Sequence, residues 1–346
     1  MNAPDLKRGQ SVRARIVRRA WRLLALGLSL LALGGCENAP SALDPQGPPA
    51  ARIATLWWLM FGISSVIYVL VMGLLFWGLL RRRQEQPENR MPLRGSTRWI
   101  VAGGIALPIV ILTIVYGFSL WTMGSISAFA ASPAMTIEVI GRQWWWEVRY
   151  PEQGFETANE IHIPVGKPVA IKLTSADVTH SFWIPKLNGK LDMIPGKTNT
   201  IVIQADQAGE YRGECNEFCG TQHAKMAFVV VAEPEDTFAA WLAQQRQESV
   251  LPTTALLRHG QQVFLGAACV YCHAIRGTNA SSDFGPDLTH LASRRTLAAG
   301  TLPNNRGNLA GWILNPQSIK PGNKMPPVNL DSQDLQALLA YLESLK

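Results

Sequence analysis

Two long apolar runs dominate the hydropathy pattern of the N-terminal third of the chain. They cover residues 55–80 and 99–123, and neither contains a charged side chain. A helix of about 20 apolar residues crosses the hydrocarbon core of a bilayer, so the pattern predicts two transmembrane helices over these residues. Pro108 has no amide hydrogen to donate and predicts a kink in the second helix.

The polar segment between these runs predicts the orientation of the hairpin. Residues 81–98 carry six arginines and two glutamates. An excess of basic residues marks cytoplasmic loops, so this loop is predicted to lie in the cytoplasm. The hairpin would then begin and end on the outer side of the membrane, and the chain that follows the second helix would be exported.

The first 35 residues have the form of an export signal. A basic stretch precedes an apolar stretch, and Cys36 follows two glycines. We predict a signal peptide over residues 1–35, with Cys36 as the lipid-modified mature N-terminus and residues 36–54 as an exported linker. An ordinary signal peptide and an uncleaved short membrane anchor are the alternatives. This segment holds seven of the basic residues and one acid, so the net charge of +7 does not indicate a nucleic-acid-binding surface.

The pattern changes to short β-rich runs over residues 134–232. These runs contain many β-branched and aromatic residues and are separated by Gly, Pro and Asn. They predict a small antiparallel sandwich or barrel. His162 alternates with two isoleucines and is predicted to point outward from its strand, without a functional role. Residues 233–252 have a charged, helix-like pattern and are predicted to link this domain to the next.

Metal-binding side chains cluster in the sequence GECNEFCGTQHAKM at residues 213–226. Cys215, Cys219 and His223 lie in a loop expected between two strands, and His180 follows another predicted strand. Zinc would accept these thiolates and imidazoles, and an exported cysteine pair could also form a disulfide. Met226 favours copper, because thioether ligands occur in copper sites and add nothing to a zinc site.

A second cysteine pair lies in the sequence CVYCH, the haem c attachment motif. Cys269 and Cys272 would bind the porphyrin covalently, and His273 would ligate the iron. Met325, in a loop before the last predicted helix, is the predicted sixth ligand. The composition changes after residue 252, with many small and loop residues, and together with the motif this predicts a haem domain over residues 253–346. His290 and His259 are weaker candidates for the sixth ligand.

Together these motifs resemble subunit II of the haem–copper cytochrome c oxidases, in the branch with a fused cytochrome c domain. The ligand loop, preceded by DVTHSF and LDMIPG, carries the resemblance. It implies a multidomain membrane protein with a two-helix transmembrane hairpin, an all-β cupredoxin sandwich and an all-α class I cytochrome c domain. It also implies two cofactors, a binuclear copper centre (Cu-A) and one covalent haem c.

The resemblance implies a role for each residue of the loop. Cys215 and Cys219 would bridge the two coppers. The Glu217 side chain would bind a magnesium or manganese ion at the boundary with subunit I. Trp144, the first of three consecutive tryptophans, would be the point at which electrons enter the copper site. The six copper ligands would be His180, Cys215, Glu217 through its carbonyl, Cys219, His223 and Met226.

The implied function is electron transfer within a proton-pumping terminal oxidase of the bacterial inner membrane. A donor cytochrome c or a cytochrome bc complex would reduce the haem on the periplasmic side. Electrons would then pass to Cu-A and to a haem in subunit I, where dioxygen is reduced to water. No nucleic acid is expected among the partners.

Several other protein classes share parts of this pattern. A nitric oxide reductase with a Cu-A subunit is the main alternative. A quinol-oxidising relative would lack the copper ligands, nitrous oxide reductase would lack the hairpin, and a copper-delivery or zinc module would not need a haem. One departure from the oxidase pattern is the absence of an acid at the start of the second helix. The nearest acids are Glu85 and Glu88, which argues against proton entry through this chain.

Overall fold

The computed structural model describes residues 40–80 and 94–346. The predicted signal peptide, the lipidation candidate Cys36 and most of the predicted cytoplasmic loop lie outside these residues. Within them the chain forms a helical hairpin, a β-sandwich and a helical domain, in that order. This is the fold class that the sequence predicts.

The hairpin consists of two helices that extend beyond the apolar runs. Helix α1 spans Pro48–Leu80. The return helix comprises α2 (Arg94–Val101), a π-helical turn (Ala102–Ala106) and α3 (Leu107–Phe129). Both stretches are long and apolar enough to cross a membrane, and most of their large apolar side chains are exposed in the isolated chain. An apolar surface of this extent needs lipid or another protein around it.

The distortion expected from Pro108 takes the form of the π-helical turn. In a regular α-helix a proline ring clashes with the carbonyl group four residues earlier, which here belongs to Gly104. Gly104 lies inside the π-helical turn, where the helix is wider. The membrane helix therefore accommodates the proline by widening one turn rather than by ending.

Residues 135–233 form a sandwich of two five-stranded sheets. The strands are β1 (Met135–Arg142), β2 (Trp145–Tyr150), β3 (Phe155–Ala158), β4 (Glu160–Pro164), β5 (Val169–Ser175), β6 (His180–Trp183), β7 (Leu191–Met193), β8 (Asn199–Ile203), β9 (Gly209–Cys215) and β10 (Ala227–Glu233). The sheet orders are β3-β2-β1-β5-β8 and β4-β10-β9-β6-β7. The prediction of a purely antiparallel sandwich is wrong in two places, because β1 pairs with β5 and β4 pairs with β10 in parallel. In both pairs the strands are not consecutive, so no tight turn forces them to run antiparallel.

Aromatic side chains fill the space between the sheets. Trp146, Phe182 and Phe228 are fully buried, and the rings of Phe182 and Phe228 stack at 4.6 Å. Gly213 makes this packing possible, because a Cβ atom there would lie 2.2 Å from the Phe228 ring. Phe182 pairs with Cys215 across strands β6 and β9. The aromatic core therefore supports the strand end from which the candidate metal loop begins.

His162 points away from the sandwich core, as predicted, but it is buried rather than exposed to solvent. Its exposed fraction is 4%, because helix α4 (Glu235–Gln245) covers this face of β4. Trp241 of α4 stacks on the imidazole at 3.9 Å, and Nδ1 lies 3.0 Å from a carboxylate oxygen of Glu233. Strand alternation alone gives no information about a helix that packs on the second face of the sheet.

The C-terminal domain is helical and contains a small β-hairpin. Its helices are α5 (Ala255–Gly266), α6 (Arg306–Leu314), α7 (Pro316–Ile319) and α8 (Ser332–Ser344), and its two short strands are β11 (Thr296–Leu297) and β12 (Leu302–Pro303). Helices α5 and α8 cross at Gly260, where a Cβ atom would lie 2.0 Å from the carbonyl oxygen of Ala337. Glycine therefore permits a backbone contact that brings the first and last helices of this domain together.

We predict that Gly260→Ala destabilises the C-terminal domain by about 1–3 kcal/mol, because the added methyl group forces α5 and α8 apart. Gly266→Ala is the matched control, since no heavy atom lies within 4 Å of a Cβ at this position of the same helix. Calorimetric unfolding of the purified chain measures both. Equal transition temperatures for the two variants would contradict the predicted role of the crossing.

Candidate metal centre and haem pocket

The candidate metal ligands lie at one end of the second sheet of the sandwich. Strand β9 ends at Cys215 and β10 begins at Ala227, so the loop between them carries the remaining donors of the motif. The amide of Cys215 donates to the carbonyl of Met226 at 3.0 Å and closes the base of this loop. A short helical turn, His223–Lys225, then directs His223 back toward the cysteines.

The two cysteine sulfurs form the centre of the site. Cys215 Sγ lies 3.8 Å from Cys219 Sγ, which is far longer than the ~2.05 Å of a disulfide, so both thiols are free. Around Cys215, His180 Nδ1 lies at 3.8 Å and the Glu217 carbonyl oxygen at 3.3 Å. Around Cys219, His223 Nδ1 lies at 3.7 Å and Met226 Sδ at 3.8 Å. Each sulfur thus has one imidazole and one weaker donor beside it.

This arrangement fits two soft metal ions better than one. A single tetrahedral zinc would leave the thioether and the carbonyl without a role, whereas copper sites use such weak donors. Four of the donors are buried, since the exposed fractions of His180, Cys215, Cys219 and Met226 do not exceed 6%, while His223 is half-buried. Only His180, Cys215 and Cys219 lie close enough together to form a cluster of His, Cys or acidic ligands within the described residues.

The two thiols have pKa values shifted in opposite directions, because they are hydrogen-bonded to each other. The hydrogen bond from Cys219 lowers the pKa of Cys215 to about 3, against the opposing effect of burial. The same hydrogen bond, together with burial, raises the pKa of Cys219. Binding of cations to both sulfurs would therefore release the remaining proton.

Asp177 and Gly141 orient His180, and neither is conspicuous in the sequence. The Nε2 atom of His180 lies 2.9 Å from Asp177 Oδ1, which leaves Nδ1 facing Cys215. Burial would raise the pKa of Asp177, but hydrogen bonds from His180 and from two backbone amides lower it to about 2. Burial likewise opposes protonation of His180, yet its bonds to Asp177 and Cys215 raise its pKa. A Cβ atom at residue 141 would lie 2.7 Å from the imidazole, so glycine is required there.

Trp144 contacts the ligand loop directly. It lies in the turn between β1 and β2, and its Nε1 donates to the Cys219 carbonyl at 3.1 Å. The side-chain amide of Gln143 donates to the same carbonyl at 2.8 Å. Of the three consecutive tryptophans, Trp146 is fully buried in the core, whereas Trp144 and Trp145 are partly exposed.

The predicted haem ligands line one large cavity in the C-terminal domain. Cys269, Cys272, His273 and Met325 all contribute to its wall. His273 Nδ1 lies 2.8 Å from the Pro286 carbonyl oxygen, an arrangement that leaves Nε2 available for iron. Burial lowers the pKa of His273, so the imidazole is neutral as a metal ligand must be.

The same cavity extends to the sandwich. Its wall includes Trp144 and Asp177 of the sandwich as well as the haem ligands. It also includes Arg294 and Thr296, whose Nε and Oγ1 atoms are buried without a hydrogen-bond partner. Unpaired buried donors of this kind fit a ligand that carries carboxylates, as haem does.

The two weaker haem-ligand candidates lie away from this cavity wall. The ring nitrogens of His290 lie 2.7 Å and 3.1 Å from the carbonyl oxygens of Lys346 and Gln247. His259 Nε2 lies 2.8 Å from a carboxylate oxygen of Asp334. Both imidazoles therefore have structural partners, which leaves Met325 as the sulfur donor that faces the cavity.

Glu217 has two different environments. Its carbonyl group faces Cys215 inside the site, while its side chain is exposed to solvent. The adjacent Phe218 is also exposed, to 75%. The outer side of the ligand loop is therefore a surface on which a carboxylate and an aromatic ring stand together.

Lys320 is a site residue that the sequence did not reveal. It is 3% exposed, and its Nζ donates to the Trp144 carbonyl from the other domain. Burial and the nearby Lys225 lower its pKa to about 7. The sequence around it, an ordinary loop before Met325, contains no signal for this contact.

Comparisons with known proteins agree with this architecture. Residues 153–233 match the family model described as the periplasmic domain of cytochrome c oxidase subunit II, and residues 257–346 match the cytochrome c model. Cytochrome c oxidase subunit 2 of Alkalihalophilus pseudofirmus is 36% identical over 96% of this chain and 99% of its own length. Quinol oxidase subunit 2 of Bacillus spizizenii is 32% identical over 66% of this chain and 73% of its own length.

Among solved structures, the periplasmic domain of cytochrome oxidase subunit II of Bradyrhizobium japonicum is 32% identical, with a TM-score of 0.33. The match covers 34% of this chain and 96% of the Bradyrhizobium japonicum chain. The near-complete match to a curated subunit 2, together with the two domain models, establishes the family. The chain belongs to the cytochrome c oxidase subunit II family and carries a cytochrome c domain at its C-terminal end.

Proposed function

We propose that this chain is the electron-entry subunit of a proton-pumping terminal oxidase. The covalent haem would accept electrons from a donor cytochrome c or a cytochrome bc complex. Cu-A would then supply them to a haem in subunit I, where dioxygen would be reduced to water. The observation that carries the proposal is the common cavity. Its wall joins the four haem-binding residues to Trp144, whose indole bonds to the carbonyl of the copper ligand Cys219.

Each ligand set has a defined task in this proposal. Cys215 and Cys219 would hold two coppers through their sulfurs. His180 with the Glu217 carbonyl, and His223 with Met226, would supply the remaining donors. When bound, the coppers and the haem iron store and release single electrons. The buried protein donors keep the metal geometry fixed, so that little rearrangement accompanies each electron. The complete assigned set is Cys269, Cys272, His273 and Met325 for haem, and His180, Cys215, Glu217, Cys219, His223 and Met226 for Cu-A.

The membrane hairpin gives the site its place in a complex. The basic loop over residues 81–98 supports a location of the sandwich and the haem domain on the periplasmic side of the inner membrane. Subunit I is the proposed partner of the hairpin and of the exposed surface around Glu217 and Phe218. The Glu217 carboxylate would share a magnesium or manganese ion with that partner. Export would begin with the signal peptide and lipidation of Cys36.

Metal analysis provides the first test of the function. We expect two coppers and one covalent haem per purified chain. Cys215→Ser should lower the copper content and leave the haem in place, and Cys269→Ser should have the opposite effect, so each variant is the control for the other. Elemental analysis and haem staining of denatured protein measure both contents. A chain that carries one zinc and no copper would refute the proposal.

A second prediction concerns the support of His180. Gly141→Ala should displace the imidazole, because the new Cβ would lie 2.7 Å from its Cδ2 atom. We expect weaker copper binding with unchanged haem content, measured by the near-infrared copper absorption. Gly189→Ala is the control, since a Cβ there makes only an ordinary contact with Ile53 at 3.4 Å. Full copper binding by the Gly141 variant would show that His180 is not needed in its present position.

A third prediction concerns Trp144. Trp144→Phe keeps an aromatic ring but removes the Nε1 donor to the Cys219 carbonyl. We expect slower electron transfer from haem to copper at unchanged copper and haem contents, measured by flash photolysis. Trp145→Phe changes the neighbouring ring, which the contacts place beside Arg142 rather than the ligand loop, and serves as the control. Equal slowing in both variants would argue against a path through Trp144.

A further inference from the structure

The contact between the haem domain and the sandwich is centred on a buried lysine. Lys320 directly follows helix α7 and is 3% exposed. Its Nζ donates to the carbonyl oxygens of Lys225 at 2.8 Å, Trp144 at 3.1 Å and Ala298 at 3.1 Å. An ammonium group has three hydrogens to donate, so this contact uses all of them. No ion pair of Lys320 with a carboxylate occurs within the described part of the chain.

The three carbonyl groups belong to three separate segments. Trp144 lies in the turn that contacts the Cys219 carbonyl, and Lys225 directly precedes the copper ligand Met226. Ala298 lies in the turn between β11 and β12 of the haem domain. Lys320 itself lies on the loop that leads to Met325. One side chain therefore connects the loop of a haem ligand, the loop of the copper ligands and the predicted point of electron entry.

Other hydrogen bonds join the haem domain to the sandwich near Lys320, but they do not replace the bonds of Lys320. Gln222 Nε2 donates to the Pro321 carbonyl at 2.6 Å, and the Ala227 amide donates to the Ala299 carbonyl at 3.0 Å. Lys225 Nζ also donates to a carbonyl group of the haem domain. None of these bonds involves Trp144. Among the described residues, the bond from Lys320 Nζ to the Trp144 carbonyl is the one hydrogen bond that the haem domain makes to the Trp144 turn.

Burial of a lysine is costly, and its presence here needs an explanation. Lysine is almost never fully buried unless it is paired, and an apolar side chain would fill the same volume at lower cost. An apolar side chain would, however, leave the three carbonyl groups between the domains without the donor that Lys320 supplies. The cost is therefore offset by joining three backbone segments at one point.

We propose that Lys320 is a positioning residue for electron transfer, which holds the haem domain against the Trp144 turn. This inference rests on the proposed function and extends it to a residue outside both ligand sets. Trp144 is then held from two sides, with its indole on the Cys219 carbonyl and its own carbonyl on Lys320. Because the rate of electron tunnelling falls steeply with distance, the transfer step depends on this closed arrangement.

The test is the rate of intramolecular electron transfer in the purified full chain with both cofactors bound. Lys320→Met keeps the length of the side chain and removes its donors. We expect transfer from haem to copper to slow by about tenfold or more, because the haem domain would leave the Trp144 turn in most molecules. A tenfold change corresponds to about 1.4 kcal/mol of lost docking free energy. Direct photoreduction of the copper site, the copper absorption and the haem spectrum should remain as in the unmodified protein. Lys197→Met, a change at an exposed lysine of the sandwich, is the control.

The outcomes separate this inference from the function on which it rests. If the unmodified protein transfers no electrons from haem to copper, the proposed function fails. If it does, and Lys320→Met transfers at the same rate, only the role of Lys320 fails. Should the Met variant not accumulate, Lys320→Gln retains two donors, and a slower rate with normal spectra supports the role. The role of Lys320 is overturned if the Gln variant transfers electrons from haem to copper at the normal rate. In that case limited proteolysis of the segment between the domains, residues 246–254, should also be unchanged.

Discussion

The close approach of two sulfur atoms is the constraint on which the rest of the site depends. Cys215 and Cys219 lie 3.8 Å apart, and both side chains are buried. Without metal, the hydrogen bond between them leaves one thiol with a low pKa and the other with a raised one. The metal-free site already holds the two sulfurs close enough for this hydrogen bond. The bond from Cys215 to Met226 at the base of the loop and the aromatic core beneath it support this arrangement.

The second domain is joined to this site by polar contacts more than by apolar packing. Carbonyl groups of both domains accept from Lys320, Lys225 and Gln222, and Lys324 lies 3.7 Å from Asp177, the partner of His180. Polar contacts have directional geometry, so they specify one orientation where an apolar interface would allow sliding. For the proposed electron transfer between haem and copper, a fixed orientation of the two domains matters more than a large buried interface area.

The sequence allowed the prediction of features whose signal is local. Apolar length predicts the helices, and the spacing of sulfur and imidazole donors predicts which residues converge. Contacts between distant segments carry no such signal. Lys320 and Trp144 are 176 residues apart, and nothing near either residue indicates the other. The burial of His162 could not be predicted for the same reason, because the helix that covers it begins after β10. The parallel pairing of β4 with β10 likewise joins segments that are far apart in the sequence.

The docked haem domain also changes where a donor must bind. In this arrangement the turn that carries Trp144 faces the chain's own haem domain, through Lys320 and the shared cavity. A soluble donor cannot approach that turn from the same side without displacing the domain. Tyr271, inside the haem attachment motif, is 78% exposed, and Phe284 near the haem pocket is 56% exposed. If the chain acts as we propose, a donor would therefore reach the relay at the haem domain. The contacts between the domains, rather than those with a donor, would then set the geometry of the next step.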